Sequence, residues 1–315
     1  MKTIEASGLT KGYGGRPALS GLSLGVEEGD VFGFLGPNGA GKTTTIRILT
    51  GLLEPDSGEA RVAGMDVSAH PRAVKRAVGV LPESQGYYGW MTGEEYLSYF
   101  ADLYGVRNAG RRARKLLDEV GLGERGGSPV GGYSRGMRQR LGIARAMVHS
   151  PKILFLDEPS LGLDPKGQRE MNDLIRRLGR DEGVTVFLSS HLLSEIEDLC
   201  TRFAIVREGR LVAEGDRAEL EARLGGGRRL RLEVSDLEKA LGFARCVTGL
   251  AGVRGEGDAL IVEPRTDEAA AMLLRLLVME RIEVYSMQRF APSLEEIFLG
   301  LTDGQHAQRE SGVAR

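Results

Sequence analysis

The chain has 315 residues, with 42 Lys+Arg against 44 Asp+Glu and a formal net charge of −2 at pH 7. That balance removes any global electrostatic reason to expect a nucleic-acid partner, and 41% hydrophobic with 27% charged residues excludes wholesale disorder. Two cysteines, Cys200 and Cys246, are too few for a disulfide framework or a zinc site and suit a reducing compartment. The length allows two or three domains. No run approaches the roughly 18 apolar residues of a membrane helix, and no apolar signal core follows Met1-Lys2-Thr3-Ile4-Glu5. The expectation is a soluble protein, or one held at a membrane through a partner.

Short apolar runs, Ile4 to Leu9 and Leu22 to Val26, alternate with glycine punctuation such as Gly12-Tyr13-Gly14-Gly15 and read as strands and turns. Val31-Phe32-Gly33-Phe34-Leu35 reads as a buried strand running into Gly36-Pro37-Asn38-Gly39-Ala40-Gly41-Lys42-Thr43, and Thr44 to Leu53 reads as the following helix. The turn cluster Glu54-Pro55-Asp56-Ser57-Gly58 ends it. From about Thr92 to Ser150 the chain is helix-rich. Strands are then expected at Ile153 to Leu156 and Val184 to Ser189, with a helix between them over Gly167 to Leu178. Strands alternating with helices give an α/β core, with a helical subdomain inserted at about 85–150.

The composition shifts at Leu224-Gly225-Gly226-Gly227-Arg228, read as a linker that ends a first domain at residue 223. Over 228–303 the pattern is strand (Leu230–Val234), helix (Leu237 to Ala244), strand near Val253, strand (Ala259–Val262), helix (Glu268–Glu280) and strand (Ile282–Gln288). That is βαββαβ, the order of a small ferredoxin-like α+β domain. A short helix is expected over Leu294–Leu301, and 304–315 reads as a polar, flexible tail.

Residues 36–43 match G-x-x-x-x-G-K-[ST] in full, between a strand and a helix. Glycines let the backbone wrap closely enough for successive N–H groups to point at phosphate oxygens, and the helix adds its positive end. In this loop Lys42 is placed to neutralise the β- and γ-phosphates and the Thr43 hydroxyl to ligate Mg²⁺. The second signal is Ile153-Leu154-Phe155-Leu156-Asp157-Glu158-Pro159, an apolar strand that delivers two carboxylates at its end. Asp157 suits the Mg²⁺ shell, and Glu158 suits polarisation of the water that attacks the γ-phosphate.

Between these signals, Tyr133-Ser134-Arg135-Gly136-Met137-Arg138-Gln139-Arg140 resembles the signature sequence of ATP-binding-cassette (ABC) proteins. Over residues 1–220 the chain resembles the nucleotide-binding subunit of an ABC transporter. The resemblance implies a P-loop NTPase fold, ATP and Mg²⁺ as cofactors, and an ATPase that dimerises around two ATP molecules. It implies that Gly36, Pro37, Asn38, Gly39, Ala40, Gly41, Lys42, Thr43 and Thr44 hold the nucleotide and that Tyr13 stacks on adenine. Ser134 and Gly136 are implied to face the γ-phosphate of the partner protomer's ATP, and Ser160-Leu161-Gly162-Leu163-Asp164 to cross to that protomer. His191 matches the family's switch histidine and joins Glu158 and Lys42 as catalytic.

Two departures stand out. The usual Leu-Ser-Gly-Gly-Gln reads Tyr-Ser-Arg-Gly-Met, which puts Arg135 where a small residue is usual. Glu83 takes the place of a glutamine that reaches Mg²⁺ and the attacking water; a carboxylate can still ligate the metal but adds negative charge beside the phosphates. Pro82-Glu83, the Tyr-Ser-Arg-Gly-Met signature and the end Ser293-Leu294-Glu295-Glu296-Ile297-Phe298-Leu299 resemble ABC-2-type exporters of the daunorubicin-resistance kind. That implies a second ATPase subunit, identical or paralogous, an integral membrane permease, and a place on the cytoplasmic face of the membrane. The exported molecule is read as a drug or antibiotic on this likeness alone. The alternative is a soluble, non-transporting ABC ATPase with a regulatory role. The C-terminal domain is open between ligand sensing and reinforcing the dimer, and Tyr87-Tyr88-Gly89-Trp90 between permease docking and core packing. His70, His149, His306 and the Arg107–Arg114 run read as local packing or solvated surface.

Overall fold

The computed structural model describes residues 2–223, 229–290 and 295–298. They fall into two compact units, Met1–Arg217 and Ala218–Arg315.

In the large unit, β1 (Lys2–Tyr13) and β2 (Arg16–Glu27) form an antiparallel hairpin, and β3 (Val31–Leu35) leads into α1 (Lys42–Leu49). β4 (Ser57–Val62) and β5 (Met65–Asp66) extend the hairpin into a sheet of order β2-β1-β4-β5. α2 (Pro71–Ala77) precedes β6 (Val78–Leu81); then come three helices, α3 (Gly93–Leu103), α4 (Ala109–Glu119) and α5 (Arg135–Ala146), before β7 (Ile153–Asp157). α6 (Pro165–Arg180), β8 (Thr185–Ser190), α7 (Leu193–Ile196), β9 (Arg202–Arg207) and β10 (Arg210–Gly215) follow. The second sheet has the order β10-β9-β3-β8-β7-β6, parallel except for the β9–β10 hairpin at its edge. Since β6 and β7 are neighbours in this sheet, α3 to α5 are an insertion between adjacent strands.

Every residue of β3, β7 and β8 is buried, as expected of parallel strands covered on both faces. Their phenylalanines lock the layers: Phe32 and Phe155 lie 5.5 and 5.4 Å from Phe187, ring centre to ring centre. The same core takes in Ile4, Leu9 and Leu24 from the antiparallel sheet and Ile46 and Leu49 from α1. Sheet, hairpin and helix therefore fix the position of the segment between β3 and α1.

After α8 (Arg217–Arg223), the small unit runs β11 (Arg229–Val234), α9 (Leu237–Cys246), β12 (Leu250–Glu256), β13 (Ala259–Pro264), α10 (Asp267–Met279) and β14 (Val284–Phe290). The sheet order is β12-β13-β11-β14 with every pair antiparallel, the ferredoxin-like arrangement expected from βαββαβ. Leu230, Leu232, Leu260 and Val262 pack with Ala240, Ala244, Leu273 and Leu277 of the two helices.

Two boundaries differ from expectation for reasons the structure shows. The helix expected at 44–53 spans Lys42–Leu49, because Gly41 at φ +100° already ends the loop and the Thr50 hydroxyl donates to the Ile46 carbonyl just before a left-handed Gly51. The strand expected from Ile282 begins at Val284, because the Ile282 N–H closes the end of α10 on the Leu277 carbonyl. In addition, β4, β5, α2, β6, α7, the β9–β10 hairpin and α8 were not anticipated. The linker 224–228, the tail 304–315 with His306, and most of the helix expected at 294–301 lie outside the described residues; 295–298 are helical. No helix among the described residues is long and apolar enough to cross a membrane.

Candidate functional site

The loop between β3 and α1 is wedged rather than merely tight. A side chain on Gly36 would start 2.4 Å from the Val206 carbonyl of β9, and one on Gly41 would start 2.6 Å from the Ala18 carbonyl of β2. The turn of the β9–β10 hairpin completes the buttress: the Gly209 N–H donates to the Ala40 carbonyl (3.1 Å), and the Gly209 carbonyl accepts from the Ser20 N–H (2.9 Å). α1 starts with no side-chain cap, so its first amides are left for an anion. Lys42 curls back over the loop and donates to the carbonyls of Gly36 (2.8 Å) and Pro37 (3.4 Å).

β7 brings the two carboxylates to this loop, and they are handled differently. Asp157, 3% exposed, accepts from the Thr43 hydroxyl (2.9 Å) and from the Ser189 hydroxyl at the end of β8 (2.6 Å). Glu158 has a left-handed backbone, φ +52°, a conformation that costs a residue with a side chain and concentrates at functional positions. That turn aims its carboxylate between Lys42 Nζ (3.2 Å) and His191 Nδ1 (2.8 Å). The Ser189 hydroxyl also accepts from the Glu158 N–H (3.0 Å), so one serine orients both acids. Lys42 and Glu158 are 6% and 8% exposed, and each keeps its charge out of water by facing the other.

A cavity of about 480 Å³ opens here, lined by Tyr13, Ala18, Asn38, Gly39, Gly41, Lys42, Thr43, Thr44, Glu83, Glu158, Leu161 and His191. Residues singled out from five separate stretches of sequence thus face one space. Gly36, Pro37, Ala40 and Asp157 form its support without lining it. Ser134 and Gly136 are elsewhere: Ser134 caps α5, accepting from the Met137 N–H (3.2 Å), and neither residue lines the cavity. Arg135 lies over Gly162, where any side chain would start 2.6 Å from its guanidinium carbon, so it packs on the Ser160–Asp164 segment.

The donor set fits a magnesium ion. The Thr43 and Asp157 oxygens lie side by side, and Glu83 borders the same cavity. Among the described residues no group of three or more His, Cys, Asp or Glu could hold a metal without help. Few protein oxygens, with phosphate and water completing the shell, is the pattern magnesium prefers.

Sequence reasoning missed Ser189 and Ala18, and it read Leu161 only as part of the segment expected to cross to the other protomer. Ser189 gave no signal beyond its place at a strand end beside the strand that carries Asp157. Of the other histidines, His149 stacks on Tyr104 at 4.0 Å and lies 3.1 Å from the Val78 carbonyl, which is local packing. In the arginine run, Arg107, Arg111 and Arg114 are exposed, whereas Arg112 donates to the carbonyls of Met147 and Val148. Around Tyr87–Trp90 the side chains divide: Tyr87 is hydrogen-bonded to α5, while Tyr88 and Trp90 are 45% and 75% exposed.

Residues 19–161 match the family described as ABC transporter. The daunorubicin/doxorubicin resistance ATP-binding protein DrrA of Streptomyces peucetius is 40% identical over 307 residues, covering 96% of this chain and 92% of that protein. The bacitracin transport ATP-binding protein BcrA of Bacillus licheniformis is 37% identical over 301 residues, covering 96% and 97%. A solved structure described as the ATP-binding subunit of an ABC transporter superposes with a TM-score of 0.64 at 32% identity, covering 71% of this chain and 94% of that one.

Proposed function

The chain belongs to the ATP-binding subunits of ABC transporters, an ATPase family, and from that premise we propose that it powers an exporter by closing as a dimer around two ATP molecules. The observation that carries this reading is the division of the site. Tyr13, the glycine loop, Glu83, Glu158 and His191 share one cavity, whereas Ser134 and Gly136 stand outside it on an exposed helix start. A second protomer, identical or paralogous, supplies those two residues to the γ-phosphate and completes each site.

The residues act in sequence. Lys42 leaves Glu158 for the β- and γ-phosphates, while the first amides of α1 and the loop N–H groups hold the remaining oxygens. Thr43 and Asp157, with Glu83, would hold Mg²⁺, which would supply positive charge against the phosphates. Glu158, released from the lysine, accepts a proton from the attacking water as that water bonds to the γ-phosphorus. The bond from this phosphorus to the β–γ bridging oxygen breaks, giving ADP and phosphate. His191 hydrogen-bonds the γ-phosphate and keeps Glu158 oriented. Closure is transmitted to a membrane permease on the cytoplasmic side, and hydrolysis resets it. The names of the resistance and bacitracin-transport relatives point to a drug or antibiotic as the exported molecule.

The test is Glu158→Gln. This variant binds Mg-ATP like the parent, loses nearly all turnover and accumulates an ATP-bound dimer in sedimentation. Full activity in the variant would take Glu158 out of its role.

A further inference from the structure

The end of β1 carries Tyr13, yet one neighbouring strand lets go of it early. Pairing of β1 with β4 stops at Thr10, opposite Ser57, whereas pairing with β2 continues to Tyr13, opposite Arg16. Beyond Thr10 the two strands form a ribbon that turns at Gly14 and Gly15, both left-handed at φ +54° and +82°. Such a two-stranded ribbon is only marginally stable by itself. Tyr13 is 47% exposed, so core packing does not fix its ring either.

Asp56, in the turn between α1 and β4, takes the place of the missing strand. Its Oδ2 accepts from the Gly12 N–H (2.7 Å), and its Oδ1 accepts from Lys11 Nζ (2.6 Å). Its own N–H donates to the Thr10 carbonyl (2.8 Å). Lys11, and after it the Gly12 amide, hold the Asp56 carboxyl below its usual range. The turn is also pressed onto β1, since a side chain on Gly58 would start 2.5 Å from the Gly8 carbonyl. This turn closes the segment that begins at the phosphate loop. α1 starts at Lys42, and the N–H groups of Leu52 and Leu53 fold its end back onto the Arg47 carbonyl. About 12 Å of helix, with Ile46, Ile48 and Leu49 buried in the core, therefore separates the phosphate cradle from the grip on Tyr13's neighbours.

We infer that Asp56 is a positioning residue for the base of the nucleotide: by gripping Lys11 and Gly12 it holds the Tyr13 ring in place relative to the phosphate loop. The inference rests on the reading of Tyr13 as the surface that stacks on adenine. Tyr13 and the loop residues Asn38 to Thr44 border one cavity, so a single ligand touches both ends. Asp56 is half exposed, and an ion pair in that setting adds little to folding. Its worth lies in order. Without the grip, the end of the ribbon has to be ordered when the ligand arrives, and that entropy is charged against the base contact. A triphosphate with no base uses the cradle alone and is indifferent to it.

Mg-ATP and Mg-tripolyphosphate, which has the phosphates and no base, separate the two ends of the site. Asp56→Ala is expected to bind Mg-ATP about fivefold or more weakly in titration calorimetry, and Mg-tripolyphosphate within about twofold of the parent, read by displacement of ATP. KM for ATP rises in step while kcat stays within about twofold. Tyr13→Ala loses about tenfold for ATP only, and adding Asp56→Ala to it costs less than about twofold more, because the ring to be held is already gone. Asp56→Asn keeps an oxygen for the Gly12 N–H and regains most of the loss. A merely structural role would weaken both ligands together and add in full to Tyr13→Ala. Parent-like ATP affinity in Asp56→Ala, or an equal loss for tripolyphosphate, would overturn the inference. If Asp56→Ala does not fold, Lys11→Met removes one of the two grips and decides by the same ratio of ligands. If Tyr13→Ala binds ATP like the parent, the stacking reading fails and takes the role of Asp56 with it; a base-dependent loss in Tyr13→Ala alone sinks only the role of Asp56.

Discussion

At the ends of the parallel strands, Lys42, Asp157 and Glu158 are almost wholly removed from water, whereas on the small unit Arg231, Arg254 and Glu256 stand 42%, 44% and 58% exposed. Both regions bring opposite charges together. In the large unit the charges sit on a left-handed glutamate and a wedged glycine loop, where taking them out of water costs several kcal/mol per ion unless they meet. In the small unit, Arg229 and Arg254 both reach Glu263 and Glu296, an ion-pair net that runs from Arg229, 15% exposed, out to Arg254, 44% exposed, where water solvates the charge. The first arrangement is built to exchange one partner for another. The second keeps fixed partners, and at its outer end Arg254 is already solvated.

The sharpest way to break this contrast is at Lys42. Lys42→Ala weakens Mg-ATP binding by about a hundredfold or more, about 2.8 kcal/mol, as read by titration calorimetry. Affinity retained within threefold would remove the lysine from the phosphate site.

A smaller effect separates two histidines. His191 faces Glu158, but His149 has a buried Nδ1 with no partner among the described residues, while its other nitrogen meets the Val78 carbonyl. Burial pushes the His149 pKa down, and the nearby Arg112 acts in the same direction. The unfolded chain therefore takes up a proton near the ordinary imidazole value of 6.5 where the folded chain does not. Stability falls as pH drops from about that value toward the lower folded one. His149→Gln is expected to flatten this part of the curve in urea titrations at pH 7.5 and 5.5; an unchanged slope would show that His149 protonates equally well in both states.

The smallest effect is expected on the exposed net. Arg254→Gln costs about 0.2–1 kcal/mol, and less in 1 M salt, where screening acts within about 3 Å. A loss above about 2 kcal/mol in chemical denaturation would mean that this net carries weight like the buried one.

Much of the site was legible because the chemistry dictates residue types at fixed spacing. A phosphate cradle needs glycines, a lysine and a hydroxyl in one run, and β7 reads as a buried strand with acids at its tip. The parallel core was legible for the same reason, since β3, β7 and β8 are continuous apolar runs. Short elements were not. β6 has four residues, and in the β9–β10 hairpin the apolar runs, Phe203–Val206 and Leu211–Ala213, are short and bounded by arginine and glutamate around Glu208-Gly209. Contacts made at a distance in sequence left no local mark either. Ser189 serves both acids of β7 from the next strand, and Gly142 looks like a defect in α5 until Gln85 is placed against it.

That late hairpin gives the protein a timetable. Lys42 leaves the ribosome early, yet the carbonyl of Ala40 waits for the Gly209 N–H, and Gly36 is pressed into shape by Val206. Synthesis proceeds at about 5–20 residues per second, so for many seconds the emerging chain carries its glycine loop without the turn that braces it. A half-made subunit then holds the nucleotide-binding letters but not the turn that braces them, and its ATP capture is expected to wait until the large unit is nearly complete.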